Sequence, residues 1–293
     1  MTYALILVLC VLAASKVTLQ SRFSKTQSRG AADSVFYNGM AFLTVAALFC
    51  PLLIRNGATH ATLFFGAMMG ILSVAFQLFY LLAFSRGKMT LTVILNNFSM
   101  ILPMAVSVIA FDEPFGMAKA LGTALALISF CLTVTRKKEA AERPSDKYDW
   151  LWLIFTLLVF LSNGLISINQ KTYAAVSESL QPFEFVAVAY ITASLLSFLL
   201  LGALALSKKN RPQKPVGRAM LSPCLVGLLL GAFQVLNTYA ASVLDGTVLY
   251  STYNCGISVL LCVIGRVLFR ETLSKRQYVG VAIGIAAIVF LCL

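Results

Sequence analysis

The chain has 293 residues, of which 59% are hydrophobic and only 12% are charged, and its mean hydropathy is +0.87. Soluble domains carry about 25% charged residues, so this composition excludes a water-soluble globular protein and predicts a polytopic, all-α integral membrane protein. The net charge of +12 sits mainly in short polar loops, where basic residues are the ordinary topology signal, and it is not read as a nucleic-acid footprint.

Ten apolar spans are predicted, at 3–20, 35–54, 61–84, 89–111, 117–135, 149–170, 182–206, 219–242, 246–268 and 276–293. Met1-Thr2-Tyr3 offers no basic n-region and no small-residue cleavage site follows, so the first span reads as a retained helix and not a signal peptide. A basic polar linker at 136–148, with Arg136-Lys137-Lys138 and Pro144, separates a first five-helix repeat at 1–135 from a second at 149–293. All seven cysteines lie in apolar runs without a CxxC or Cys/His pattern, and the single His60 is in a loop. They predict packing residues, no metal and no cofactor.

The two repeats echo each other residue by residue. Gly70 to Gln77 reads Gly-Ile-Leu-Ser-Val-Ala-Phe-Gln, and Gly227 to Gln234, 157 residues on, reads Gly-Leu-Leu-Leu-Gly-Ala-Phe-Gln. Asn96 answers to Asn254, Phe111 to Phe269, Glu113 to Glu271 and Gly122 to Gly280, now 158 apart. Charge in the matching loops is opposed. Arg22, Lys25 and Arg29 follow the first span, while Glu178 and Glu184 face Lys171 after the sixth. Arg86 and Lys88 follow the third and Asp245 the eighth; Asp112 and Glu113 follow the fourth, and Arg270, Lys275 and Arg276 the ninth. The 7–8 loop carries Lys208, Lys209, Arg211, Lys214 and Arg218 against Arg55 alone in the 2–3 loop. Five is odd, so homologous halves face opposite ways, and the bias predicts two inverted five-helix repeats. It also places the basic loops in the cytoplasm and both termini outside. Small-xxx-small seams at Gly66/Gly70, Gly227/Gly231, Gly280/Gly284 and Gly122/Ala126 predict close helix packing.

Each half ends in an apolar helix, then Glu, then Gly nine residues on: Leu102-Pro103, Phe111-Asp112-Glu113 and Leu121-Gly122 in the first; Phe269-Arg270-Glu271 and Val279-Gly280 in the second. In this the chain resembles the drug/metabolite transporter (DMT) superfamily, and within it the EamA-like transporter family. The second copy departs from the pattern with Leu261 in place of Pro103. The resemblance implies export or import of a small metabolite, and it implies that the third, fourth, eighth and ninth helices look onto a central cavity. Such transporters are drawn with both termini cytoplasmic, opposite to the orientation that the loop charges favour.

Polar side chains inside a bilayer are costly and face a cavity or a neighbouring helix. Helical spacing gathers them into stripes: Ser73, Gln77 and Tyr80; Thr92, Asn96 and Ser99 with Pro103; Asn163, Ser167 and Gln170; Gln234, Asn237 and Thr238; Tyr250, Ser251, Asn254 and Ser258. The candidate solute-binding residues are Asn96, Asn254, Gln77, Gln234, Tyr80, Asn237, Tyr250, Thr92 and Asn163. An amide-lined midplane cavity offers donors and acceptors, which suits neutral or zwitterionic solutes. Interhelical glue is the competing reading, above all for Gln77 and Gln234 beside GxxxG seams. Pro103 removes a backbone bond and predicts a kink just beyond Asn96, a hinge candidate or a packing kink. Lys16, the one full charge well inside a span, is a candidate anion contact; a side chain snorkelling to the interface is the alternative. Arg266 reads as an interfacial anchor, and Asp112-Glu113 as acids favouring the N-terminus of the fifth span.

No Asp or Glu falls in the middle of a span, so a carboxylate-based proton or cation exchange lacks its carrier, and no GxxxxGK[ST] loop supplies ATP drive. The expected function is secondary transport of a small neutral, zwitterionic or anionic metabolite, amino-acid-like or nucleoside-like, by alternating access in the cell membrane. The expected partners are the solute and membrane lipid, and the expected state is monomer or homodimer. A non-transporting membrane partner or sensor is the alternative, and an enzyme is not expected, since no catalytic cluster is seen.

Overall fold

The structure, a computed structural model, describes residues 2–26, 31–86, 89–133, 150–206, 221–268 and 274–292. They form eleven α-helices: α1 (Thr2–Thr26), α2 (Ala31–Asn56), α3 (His60–Arg86), α4 (Met89–Phe98), α5 (Ile101–Ala110), α6 (Met117–Thr133), α7 (Trp150–Val176), α8 (Pro182–Leu206), α9 (Leu221–Val243), α10 (Gly246–Leu268) and α11 (Lys275–Leu291). Helices alone can cross a bilayer without leaving backbone groups unpaired, short of a closed barrel, which fits the composition. Six of them, α2, α3, α7, α8, α9 and α10, are long and apolar enough to do so. The apolar stretches Ala4–Gln20, Leu95–Ala110 and Met117–Thr133 are shorter, as is α11 with 17 residues. The linker 136–148, the basic 7–8 loop, Arg270 and Glu271 lie outside the described residues, as does the Arg266 side chain.

The fourth predicted span is the one that is not a single helix. It is broken at Ser99-Met100 into α4 and α5, just beyond Asn96. Pro103 has no N–H to offer the carbonyl of Ser99, four residues back, and Leu102 N donates to it instead at 3.1 Å. Ser99 N likewise donates to Asn96 O at 3.1 Å, so the chain tightens to three-residue closures before α5 resumes. Two other helix ends are capped locally. Gly57, at φ +71°, terminates α2 by donating to Leu53 O at 2.9 Å. Ser274 and Gln277 form a capping box at the start of α11.

Two compact units are present, residues 1–75 with 169–244 and residues 76–168 with 245–293. Each takes helices from both halves of the sequence, and α3 and α7 are divided between them.

In the first unit α2 and α8 pack antiparallel: Gly39 lies against Ser197, Phe42 is 5.2 Å from Tyr190 between ring centroids, and Phe49 is 5.7 Å from Phe183. α3 and α9 close on this pair through their glycines. A Cβ on Gly70 would strike the Ala189 carbonyl oxygen and lie 2.8 Å from Thr192 Cβ; one on Gly227 would lie 2.6 Å from the Ala41 carbonyl oxygen and 2.8 Å from Thr44 Cβ.

In the second unit α6 and α11 also pack antiparallel. A Cβ on Gly122 would lie 2.9 Å from Leu291 N, and one on Gly280 would lie 3.0 Å from Thr133 N. Ser129 Oγ donates to Gly280 O at 2.8 Å, and Gln277 Nε2 to Thr133 O at 3.2 Å, which joins the two backbones along the seam. Small residues let helix axes approach closely where lipid offers no hydrophobic drive to associate.

Candidate functional site

The polar stripes resolve into one cluster in each unit. In the second unit the cluster is built on the α4–α5 break. Asn163, on α7, donates from Nδ2 to Ser99 Oγ at 2.6 Å and to Asn96 O at 3.4 Å. Asn163 thus ties α7 to the break, through the Ser99 hydroxyl and as a second donor to the Asn96 carbonyl. Gly164 is next to it for a packing reason: a Cβ there would run into the Leu102 side chain, 2.9 Å from its Cβ. Asn96 is half-buried, and its Oδ1 is buried without a hydrogen-bond partner among the described residues. Such an acceptor costs free energy unless something donates to it.

The other residues of this unit are more committed. Thr92 is fully buried and accepts from Trp152 Nε1 at 3.1 Å, with Thr156 Oγ1 at 3.5 Å, which ties α4 to α7. Tyr250 is fully buried and donates to Ser167 O at 2.8 Å, binding α10 to α7. Asn254 spends its Nδ2 on Tyr250 O at 2.7 Å, one turn back on its own helix. Gln77 is half-buried, and so is Tyr80, whose ring packs on Phe76 at 5.4 Å.

In the first unit the amides form an interhelical ladder. Gln170 Nε2 donates to Gln234 Oε1 at 2.8 Å and to Thr238 Oγ1 at 3.3 Å, while Gln170 Oε1 accepts from Asn237 Nδ2 at 2.8 Å. Tyr190 of α8 adds a side-chain hydrogen bond to Gln234. Gln234 therefore ties α7, α8 and α9 together, which is the glue reading of that residue. Asn237 differs: its Oδ1 is left without a partner among the described residues, though the residue is only 2% exposed. Lys16, ten residues before the end of α1, holds its Nζ over the Phe233 ring, 5.8 Å from the centroid.

Two charged residues act as long-range caps that the sequence does not reveal. Glu113 accepts from Gly246 N at 2.8 Å and Thr247 N at 3.1 Å, so it caps α10 and not the fifth span, α6, to which loop position alone would assign it. The reason is the turn: Asp112 sits at φ +52° and Glu113 N bonds to Ser107 O, which carries the carboxylate to the positive end of α10. Lys171, which loop counting put outside a helix, lies within α7 and donates to Ala241 O and Leu244 O at the C-terminal end of α9. Lys119 bridges α6 to Asp245 at 2.9 Å.

Gln170 and Tyr190 were the residues that sequence reasoning left out of the site. Gln170 is legible as the third member of the Asn163 stripe. Tyr190 shares a helical face with Ser194 and Ser197, at four and seven residues' spacing, and that stripe is the signal that could have marked it.

Eleven helices that are apolar on their outward faces, with polar side chains turned to one another, define a multi-pass, all-helical membrane protein. Residues 150–293 match the EamA-like transporter family. The match covers just under half of the chain and agrees with the resemblance to the drug/metabolite transporter superfamily that its motifs carry. A crystal structure known only as that of a protein has the same fold, with a TM-score of 0.71 at 15% identity over 99% of this chain and 94% of that chain. At that identity the likeness concerns the fold alone. No curated protein matches the sequence.

Proposed function

We propose that the protein is a secondary transporter that moves a small neutral, zwitterionic or anionic metabolite across the cell membrane by alternating access around a midplane cavity. Its ten membrane spans form two inverted five-helix repeats, with α4 and α5 together making the fourth. The supporting observations are the family match over residues 150–293 and the paired glycine contacts. Gly70 and Gly227 meet Ala-x-x-Thr segments on α8 and α2, each across a parallel pair of helices, and Gly122 and Gly280 meet each other's helix ends across an antiparallel pair. Reciprocal contacts of this kind are what a twofold axis in the membrane plane produces.

The observation that carries the solute site is the unpartnered Asn96 Oδ1 at the helix break. Broken helices in transporters present backbone and amide groups to a solute at membrane depth. In this reading Asn96 accepts a hydrogen bond from the solute, with Asn254, Gln77, Tyr80 and Tyr250 as further lining, and the break itself, with Pro103, serves as the hinge. Thr92 and Asn163 hold α7 against the break.

A thermal-shift screen of detergent-purified protein against amino acids, nucleosides, amines and phosphorylated metabolites tests this. A ligand of the folded state raises the melting temperature in step with ln(1 + [L]/Kd). One solute class is expected to do so, and the Asn96→Ala/Asn254→Ala protein, still folded, is expected to lose the shift. A shift that survives the double substitution moves the site elsewhere. No shift from any class favours a partner or sensor role.

A further inference from the structure

Lys16 lies inside the apolar stretch Ala4–Gln20 of α1, half-buried. Among the described residues no carboxylate pairs with it. α9, packed along α1, carries no Asp, Glu, Lys or Arg at all between Leu221 and Val243. On α2, which Gln20 reaches through Asn38, the one carboxylate is Asp33, in the first turn before that contact. Among the described residues its compensating contact is the Phe233 ring at 5.8 Å. A cation–π contact offsets a fraction of the cost of an ammonium in apolar surroundings, and unpaired charges at such positions persist where function uses them.

A second group of the same kind lies beside it. Phe233 and Asn237 are four residues apart on α9, hence on one face and about 6 Å apart along the helix. Asn237 gives its Nδ2 to Gln170, and its Oδ1 has no donor. α1 runs antiparallel to α9, since Lys16 meets Phe233 and Leu19 packs on the cluster containing Val226. Toward Asn237, α1 therefore presents Ala13 rather than a bulky side chain. An unpaired ammonium and an unsatisfied amide oxygen about one helical turn apart are complementary to one ligand chemistry: negative oxygen atoms at one end and an N–H or O–H at the other.

We propose that Lys16, Phe233 and Asn237 form a receptor in the first unit for a small oxyanion that also carries a hydrogen-bond donor. The anion draws Lys16 Nζ from the Phe233 ring into a charge-assisted hydrogen bond, and its donor satisfies Asn237 Oδ1. The site is separate in residues from the Asn96 cluster. It rests on the transport reading only for its purpose, not for its existence. The occupant is either a free solute or the headgroup of an anionic lipid, and the two share this chemistry.

The test uses the full-length protein, delipidated in a neutral maltoside detergent, with thermal shift and equilibrium binding as readouts. The probes are lactate (anion with donor), propionate (anion without donor), lactamide (donor without charge) and phosphatidylglycerol. Lactate is expected to raise the melting temperature of the wild type and of Lys16→Arg. Lys16→Gln is expected to bind it at least about tenfold more weakly, the loss of one charge-assisted hydrogen bond. Asn237→Ala is expected to erase the preference for lactate over propionate while leaving anion binding in place. The Asn96→Ala/Asn254→Ala protein is expected to respond to lactate as the wild type does, so the failure of one site and of the other are told apart. A response to phosphatidylglycerol alone, lost in Lys16→Gln, supports the receptor and makes the lipid its occupant. Equal responses to lactate and lactamide, an unchanged response in Lys16→Gln, or no response to any anion overturns the proposal; Lys16→Met, folded, repeats the comparison should the glutamine variant aggregate.

Discussion

Gly70 and Gly227 stand 157 residues apart in the chain and make the same contact: each lacks a Cβ where a backbone carbonyl oxygen, of Ala189 or Ala41, already sits, with a threonine Cβ beside it. Both seams bring α3 and α9 against the α2–α8 pair of one compact unit.

Because the obstructing atoms are backbone, neither site can relax by rotating a side chain. Gly70→Ala and Gly227→Ala are expected to destabilise the protein by about 1–3 kcal/mol each, the range for overpacking a filled interior. Gly202, with nothing within 4 Å of its missing Cβ, is the control. Gly202→Ala is expected to leave stability unchanged or raise it by up to about 1 kcal/mol. Melting temperatures in one detergent decide this, and equal losses at all three positions would contradict it.

The Gln170–Gln234 bond, at 2.8 Å, is the shortest contact from Gln170 Nε2 in the amide ladder between α7 and α9. A double-mutant cycle over Gln170→Ala and Gln234→Ala is expected to give a coupling near 0.6 kcal/mol and below about 2 kcal/mol, as for other hydrogen bonds between membrane helices. Solute binding is expected to change little in either single variant, which reversible unfolding and the thermal-shift screen would read together.

Glu113 holds two backbone N–H groups of α10 with its two oxygens. Glu113→Gln keeps one acceptor and loses the charge, and it is expected to cost about 0.5–2 kcal/mol through the helix dipole. Amide exchange at the start of α10 is expected to quicken, measured by mass spectrometry over a peptide beginning at Asp245. Exchange confined to α6 instead would return the carboxylate to the fifth span.

The break between α4 and α5 depends on Asn163 and on the space left by Gly164. Asn163→Ala takes the donor from the Ser99 hydroxyl and leaves the Asn96 carbonyl with the Ser99 N–H alone, at about 1–3 kcal/mol. Its effect on uptake is expected in the turnover rate more than in apparent affinity, because it touches the break and not the solute. Asn96→Ala is expected to show the opposite split. Proteoliposome uptake of the solute found in the screen measures both, and matching kinetic defects would refute the division of roles.

Much of the architecture is legible without coordinates. The spans, the duplicated Gly-to-Gln segment and the glycine seams can be read because lipid imposes a local rule: every backbone group bonds within its own helix, and small residues mark where helices touch. The break at Ser99-Met100 is foreshadowed by Pro103, since a missing N–H acts on the carbonyl four residues earlier. The stripe containing Asn163 and Gln170 is legible as a stripe, though the two residues serve different clusters, one at the α4–α5 break and one in the α9 ladder.

Composition and periodicity by themselves determined that this chain is a helical membrane protein with a duplicated plan and amides turned inward, because those properties follow from each segment's own contact with lipid. Partnership was decided only by the tertiary structure. That Glu113 caps α10, that Lys171 reaches the end of α9, that Gln234 is spent on Gln170, and that Asn96 and Asn237 each keep an unsatisfied oxygen all depend on which helix arrives beside which. The physical reason is range: helix formation is governed by residues three and four apart, whereas a hydrogen bond at about 2.9 Å is directional and indifferent to sequence separation.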